Sequence, residues 1–290
     1  MTFTVTDERI ETGGLALSAI QGEPSEPALA TIIALPGGGY NSAYWHHPCN
    51  HRGSLVELGA SLGFRVFSVD RPGYGASSAL FPDGCHLDRQ LSLIGGLVDE
   101  LSRAPGAGAG VFLVGHSMGG IVTLRVAAEQ PHGLLGLDVS GVPLRFSEKL
   151  ASAVSANLDG DEAHSAGKSA AELFYGPPES YDAALLRKDV SVVPPPSTEL
   201  ADSVVWPSQF LRTASAIEVP VRITLGDHEA VTETGWPALH ETAALFTRSP
   251  RVETALQAQS GHNVSLHYIA RAFHLRALAF FEETLELNKQ

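Results

Sequence analysis

The chain has 290 residues, 44% of them hydrophobic and 18% charged, with a formal net charge of −13 and a pI near 5.3. That length and balance suit one large domain, or a core domain with a modest insertion, and exclude a disordered or fibrous chain. A polyanion such as nucleic acid would be repelled, since the 19 Lys and Arg form no basic stripe and the densest pair, Arg187-Lys188, is followed at once by Asp189.

From the N-terminus, Phe3-Thr-Val-Thr and Leu15-Ala-Leu-Ser alternate apolar with polar around Gly13-Gly14, which predicts an antiparallel edge hairpin. The first residues carry no basic and apolar leader, and no apolar run approaches the ~18 residues of a membrane span. The expected location is the cytoplasm, without a membrane partner. Beyond residue 30, apolar runs at Ala30–Leu35, Arg65–Val69, Val111–Val114, Leu134–Val139, Val219–Leu225 and Val252–Ala258 read as strands buried on both faces. Helical patterns at Ser54–Leu62, Asp88–Ser102, Gly119–Glu129, Pro237–Phe246 and Leu266–Leu287 fill the gaps. This alternation predicts an α/β fold with a mostly parallel eight-stranded sheet covered by helices on both faces. Between 142 and 216 the alternation stops, and Gly176-Pro177-Pro178 and Pro194-Pro195-Pro196 punctuate an Ala/Ser-rich stretch. It reads as a helical cap inserted between the core segments 1–141 and 217–290.

Five segments carry chemistry. Leu35-Pro36-Gly37-Gly38-Gly39-Tyr40 follows the first core strand, and its glycines can offer backbone N–H groups to an oxyanion; Gly38 and Met118 are the expected donors. Asp70-Arg71-Pro72-Gly73-Tyr74-Gly75-Ala-Ser77 says only turn when taken alone. Val111-Phe-Leu-Val-Gly115-His116-Ser117-Met118-Gly119-Gly120 is a buried strand, then G-x-S-x-G, then a helix. A dinucleotide loop wants G-x-G-x-x-G instead, so these glycines are spaced for an exposed nucleophilic serine. Leu225-Gly226-Asp227-His228-Glu229 offers two carboxylates, of which Glu229 is preferred over Asp227, with mid-strand Asp138 as a third candidate. Ser260-Gly261-His262-Asn263 lies between the last strand and the last helix, completing the order Ser, acid, His.

Cys49 and Cys85 are too few for a disulfide framework and read as free thiols. His46-His47-Pro-Cys49-Asn-His51 matches no familiar zinc spacing, and a polar lead-in to the first helix explains it. Neither metal nor cofactor is expected.

Together these motifs resemble the α/β-hydrolase superfamily, and D-R-P-G-Y-G-x-S is similar to the turn of its capped esterase, lyase and C–C hydrolase branch. The resemblance implies a serine hydrolase with Ser117 as nucleophile, His262 as base and Glu229 at the family's G-x-x-D position. Pro36 replaces the histidine that usually opens the oxyanion loop. The expected substrate is a carboxylic ester, lactone or thioester of a small or medium apolar molecule, cleaved through an acyl-Ser117 intermediate by a monomer or homodimer. Gly37, Tyr40, His116, Phe174, Tyr175, Trp206 and Phe210 are the expected lining. Acyl transfer, C–C hydrolysis, lyase chemistry, or ligand binding with negligible turnover are the alternatives on the same framework.

Overall fold

The computed structural model describes residues 2–148, 150, 173–186 and 189–289. Eight strands form one sheet in the order β1-β2-β4-β3-β5-β6-β7-β8: β1 (Phe3–Thr12), β2 (Leu15–Pro24), β3 (Thr31–Leu35), β4 (Arg65–Val69), β5 (Val111–His116), β6 (Leu134–Ser140), β7 (Val221–Gly226) and β8 (Val252–Gln257). β1 and β2 form the expected hairpin, closed by Gly13 and Gly14 with φ of +54° and +76°, the left-handed pair a two-residue turn requires. β2 joins β4 antiparallel, and every later pairing is parallel.

Alternate residues of the central strands serve two hydrophobic clusters, one on each face. Ile33 and Leu35 join one with Leu113, Leu137 and Ile223, whereas Ile32 and Ala34 join the other with Phe112 and Val114. Helices α2 (Leu87–Arg103), α3 (Met118–Ala128), α4 (Ser197–Ala214) and α5 (Trp236–Ala243) give residues to the first; α1 (Leu55–Ser61) and α6 (Ala270–Leu287) give theirs to the second. The last helix starts at Ala270 rather than Leu266, because Val264–Leu266 is a separate 3-10 turn. Its amides return to the His262 and Asn263 carbonyls, so the histidine loop consumes the residues that periodicity alone assigns to the helix.

Of the expected insertion, residues 149, 151–172 and 187–188, and with them much of the expected helical cap, lie outside the described residues. The remainder is stitched to the core by isolated bridges pairing Tyr40 with Val192, Phe146 with Thr232 and Tyr181 with His267. In α4, Trp206, Phe210 and Ala214 are buried in the same cluster as Ile121, Val122 and Phe246. Among the described residues, no helix is long and apolar enough to cross a membrane.

Candidate active site

Ser117 stands between β5 and α3 with φ +49° and ψ −118°, a left-handed backbone that a non-glycine residue rarely adopts. Two glycines make the turn possible. A Cβ on Gly115 would meet Thr123 Oγ1 and, at 2.6 Å, the Gly119 carbonyl; one on Gly119 would strike the carbonyl oxygens of Leu35 and Pro36. The strand, the helix and the loop after β3 therefore close on one another around the serine. Ser117 N–H donates to Ser140 O at 2.8 Å, tying the turn to β6. From Val111 to Gly120, Ser117 alone keeps partial exposure.

His262 lies on the loop after β8, buried to 1% exposure. Its Nδ1 is 2.8 Å from Glu229 Oε2 and 3.0 Å from Oε1. The carboxylate accepts the Nδ1 proton, so Nε2 is the nitrogen with a lone pair. Nε2 has no hydrogen-bond partner among the described residues. Glu229 Oε1 also accepts the Val231 N–H at 2.8 Å, which fixes the carboxylate itself. Asp227 does other work: its two oxygens accept the Gln259 and Ser260 N–H groups, each at 3.1 Å, and clasp the loop that leads to His262. Asp138 faces Arg222 across the β6–β7 register, with Arg222 Nη1 donating to its Oδ1 at 2.7 Å. The structure thus brings Glu229, rather than Asp227 or Asp138, to the imidazole.

His116 and His262 converge, with ring centroids 4.7 Å apart. Between them comes Gly141, φ +61°, where a Cβ would lie 2.8 Å from His262 Cε1 and 3.0 Å from His116 Cε1. Gly37 flanks the same cluster, since a Cβ there would lie 3.1 Å from His116 Cδ2 and 3.3 Å from Ser117 Cβ. His116 is stacked on Tyr44 at 5.0 Å, and burial, aided by the neighbouring His262, holds its pKa well below the usual histidine value. It is therefore neutral. Asn263 Nδ2 donates to Tyr40 Oη at 2.7 Å, which leaves Asn263 Oδ1 to accept from His116 Nε2 at 3.3 Å and His116 Nδ1 to accept from Ser140 Oγ at 3.1 Å.

Tyr40 and Tyr175 link their hydroxyls at 3.1 Å, and the Tyr175 hydroxyl donates a hydrogen bond to Asp189 Oδ2 at 3.2 Å. Phe174 is half-buried with its ring 5.7 Å from that of His262, and its carbonyl accepts the Asn263 N–H at 2.9 Å. Gly37, Tyr40, His116, Phe174 and Tyr175 are thus gathered around the histidine loop. Trp206 and Phe210 are not: their rings, tilted to one another with centroids 5.1 Å apart, point from α4 into the core, and Trp206 Nε1 donates to Pro143 O. Their aromatic character serves packing there. Ser140, Gly141 and Asn263 escape a reading of the sequence, although Asn263 adjoins the histidine and Gly141 ends a strand. His46 Nδ1 lies 2.8 Å from Ser54 Oγ and His47 Nε2 lies 3.0 Å from Asp189 Oδ1, so the two imidazoles turn to different partners.

The chain belongs to the Alpha/beta hydrolase family, whose model matches residues 32–274. The 2-hydroxy-6-oxononadienedioate/2-hydroxy-6-oxononatrienedioate hydrolase of Escherichia coli (strain K12 / DH10B) is 31% identical over 101 residues, 35% of this chain and 32% of that relative. The chain is thus matched to about a third of that curated relative's length. Among solved structures, a thermostable carboxyl esterase from Bacillus coagulans superposes with a TM-score of 0.71 at 16% identity, covering 98% of this chain and 99% of that one. The 2-hydroxy-6-oxo-6-phenylhexa-2,4-dienoate hydrolase from Rhodococcus sp. strain RHA1 gives 0.68 at 18%, covering 97% and 100%. At such identities these likenesses concern the fold.

Proposed function

We propose that the protein is a serine hydrolase that cleaves a carboxylic ester, lactone or thioester of a small or medium apolar substrate through an acyl-Ser117 intermediate. The observation that carries this reading is His262: one ring nitrogen is clamped by Glu229, while the other is buried and unpartnered beside the strained Ser117 turn. Ser117 Oγ attacks the carbonyl carbon as its proton passes to His262 Nε2, and Glu229 stabilises the resulting imidazolium. The N–H groups of Gly38 and Met118 receive the oxyanion. The imidazolium then protonates the leaving alcohol or thiol. Water, deprotonated by the same nitrogen, releases the acid and restores Ser117. Gly37, Tyr40, His116, Phe174 and Tyr175 line the acyl side, and Phe174 brings the described part of the insertion over the histidine loop.

A second reading, hydrolysis of a C–C bond next to a carbonyl, is favoured by the Escherichia coli and Rhodococcus proteins, whose names specify such dienoate substrates. One experiment addresses both. A fluorophosphonate is expected to label the wild type stoichiometrically and to leave folded Ser117→Ala unlabelled. Chromogenic esters and thioesters of graded acyl length are then compared with a 2-hydroxy-6-oxodienoate. Burst release of the ester's alcohol supports the first reading, and turnover confined to the dienoate supports the second. Labelling that persists in Ser117→Ala would remove Ser117 from both.

A further inference from the structure

The Asp70–Ser77 turn does more than reverse the chain. Arg71, with a side chain 0% exposed, is wrapped around the loop after β3: Nε donates to Pro36 O at 2.8 Å and Nη2 to Gly37 O at 3.1 Å. Its Nη1 donates to Gln90 Oε1 at 2.9 Å and to Glu199 Oε1 at 2.6 Å. The guanidinium carbon lies 4.4 Å from the centre of the Tyr74 ring. The Tyr74 hydroxyl donates to Glu199 Oε2 and accepts the Gly39 N–H at 3.3 Å. Burial opposes the charge on Arg71, but Glu199 and Tyr74 more than offset it and keep the pKa above its ordinary value.

In a trans peptide the C=O and N–H point in opposite directions. Drawing the Pro36 and Gly37 carbonyls onto Arg71 therefore turns the N–H groups of Gly37 and Gly38 the other way. Gly38 lies beside Met118, where a Cβ would stand 3.7 Å from Met118 Cβ, and its N–H donates to no protein group among the described residues. The loop is thus set for oxyanion binding by a buried cation. Glu199, which neutralises that cation, sits in the first turn of α4, 128 residues further along the chain and on the segment inserted after β6.

We propose that Glu199 is a positioning residue for transition-state stabilisation: through Arg71 and Tyr74 it holds the Pro36–Gly39 peptides, so turnover at Ser117 requires α4 to be docked. This rests on the hydrolase reading of Ser117. Glu199→Gln keeps the shape and one acceptor oxygen but leaves Arg71 without a counter-charge. For this variant kcat on a chromogenic ester is expected to fall roughly 10–100-fold at unchanged KM, somewhat less than the loss typical of deleting an oxyanion donor outright. A trifluoromethyl ketone, which adds to Ser117 and places an oxyanion in the loop, should lose affinity by the same factor. The matching methyl ketone, which binds without forming the adduct, should keep its affinity.

Folding is handled by the double variant Arg71→Met/Glu199→Met, because removing a buried ion pair entirely is often tolerated while removing one partner is not. It is expected to melt near the wild type and still to turn over slowly, since nothing then holds the two carbonyls. Wild-type kcat in Glu199→Gln, wild-type kcat in the double variant, or equal weakening of both ketones would each overturn the proposal while leaving the hydrolase reading intact. A wild type inert to fluorophosphonate and to every ester would overturn the hydrolase reading, and this inference with it.

Discussion

Asp227 and Glu229 stand two residues apart after β7 and grip different things: Asp227 takes two backbone N–H groups of the β8 loop, and Glu229 takes the His262 imidazole. A turn that holds its neighbouring loop with one carboxylate can aim the next one. Glu229→Gln should therefore keep the fold and lower kcat by about 10^3–10^4, since the imidazole loses its compensating charge and its preferred tautomer. Asp227→Asn should act on stability, by about 1 kcal/mol for weakened, partly exposed hydrogen bonds. Steady-state kinetics and urea unfolding of both variants check the division; inactive but stable Asp227→Asn beside active Glu229→Gln would reverse it.

Gly141 bears on both histidines through its backbone alone. A methyl group at φ +61° costs about 1–2 kcal/mol in backbone alone. The same methyl would press on both His262 and His116. Gly141→Ala is expected to lose at least ~10-fold in kcat/KM, because small misplacements of a catalytic group are expensive. The loss should exceed what the drop in thermal midpoint explains, and equal activity per folded molecule would contradict it.

Two buried histidines set a pH limit on the fold. Burial lowers the pKa values of His267 and His274 to about 4, below the ordinary 6.5. As pH falls from about 6.5 to 4 the unfolded chain therefore binds protons that the folded chain refuses. Their stabilisation is complete above 6.5 and is lost on acidification, by about 2 kcal/mol per histidine at pH 5. Urea midpoints at pH 7.5 and 5.0 should show the decline, and His274→Gln should make it shallower. An unchanged slope would assign the acid sensitivity to other groups.

What the sequence disclosed was local. G-x-S-x-G between a buried strand and a helix is a property of ten consecutive residues, and so is a histidine loop wedged between the last strand and the last helix. The hairpin and all eight strands were legible for the same reason, with ends shifted by a few residues. Relationships across the chain were not. Nothing near Arg71 announces Glu199, and nothing near Trp206 distinguishes a ring that packs on the core from one that lines a pocket. Asp138 reads as a possible acid until its register opposite Arg222 is known. The insertion was hardest, because its Ala, Ser and Pro residues carry little periodicity from which to infer faces.

The Asp138–Arg222 pair supplies a further test. Both side chains are buried, and desolvation raises the Asp138 pKa despite the arginine beside it. Arg222→Met should cost about 3–5 kcal/mol by stranding the carboxylate, whereas Asp138→Leu/Arg222→Met should recover most of that loss. Activity per folded molecule should be retained in the double variant, because the pair lies mid-strand and does not serve His262. A double variant as unstable as the single one would show that the pair is worth more than a hydrophobic replacement.

The separation of 128 positions between Arg71 and Glu199 also sets an order of synthesis. At about 5–20 residues per second, a ribosome places roughly 6–25 s between the two side chains. Throughout that interval the guanidinium has no Glu199 to receive it, although Pro36, Gly37 and Gln90, its other partners, are already present. The serine turn is synthesised in the meantime. If Glu199 positions the loop after β3, the last piece of that loop's support is made well after the serine turn it serves.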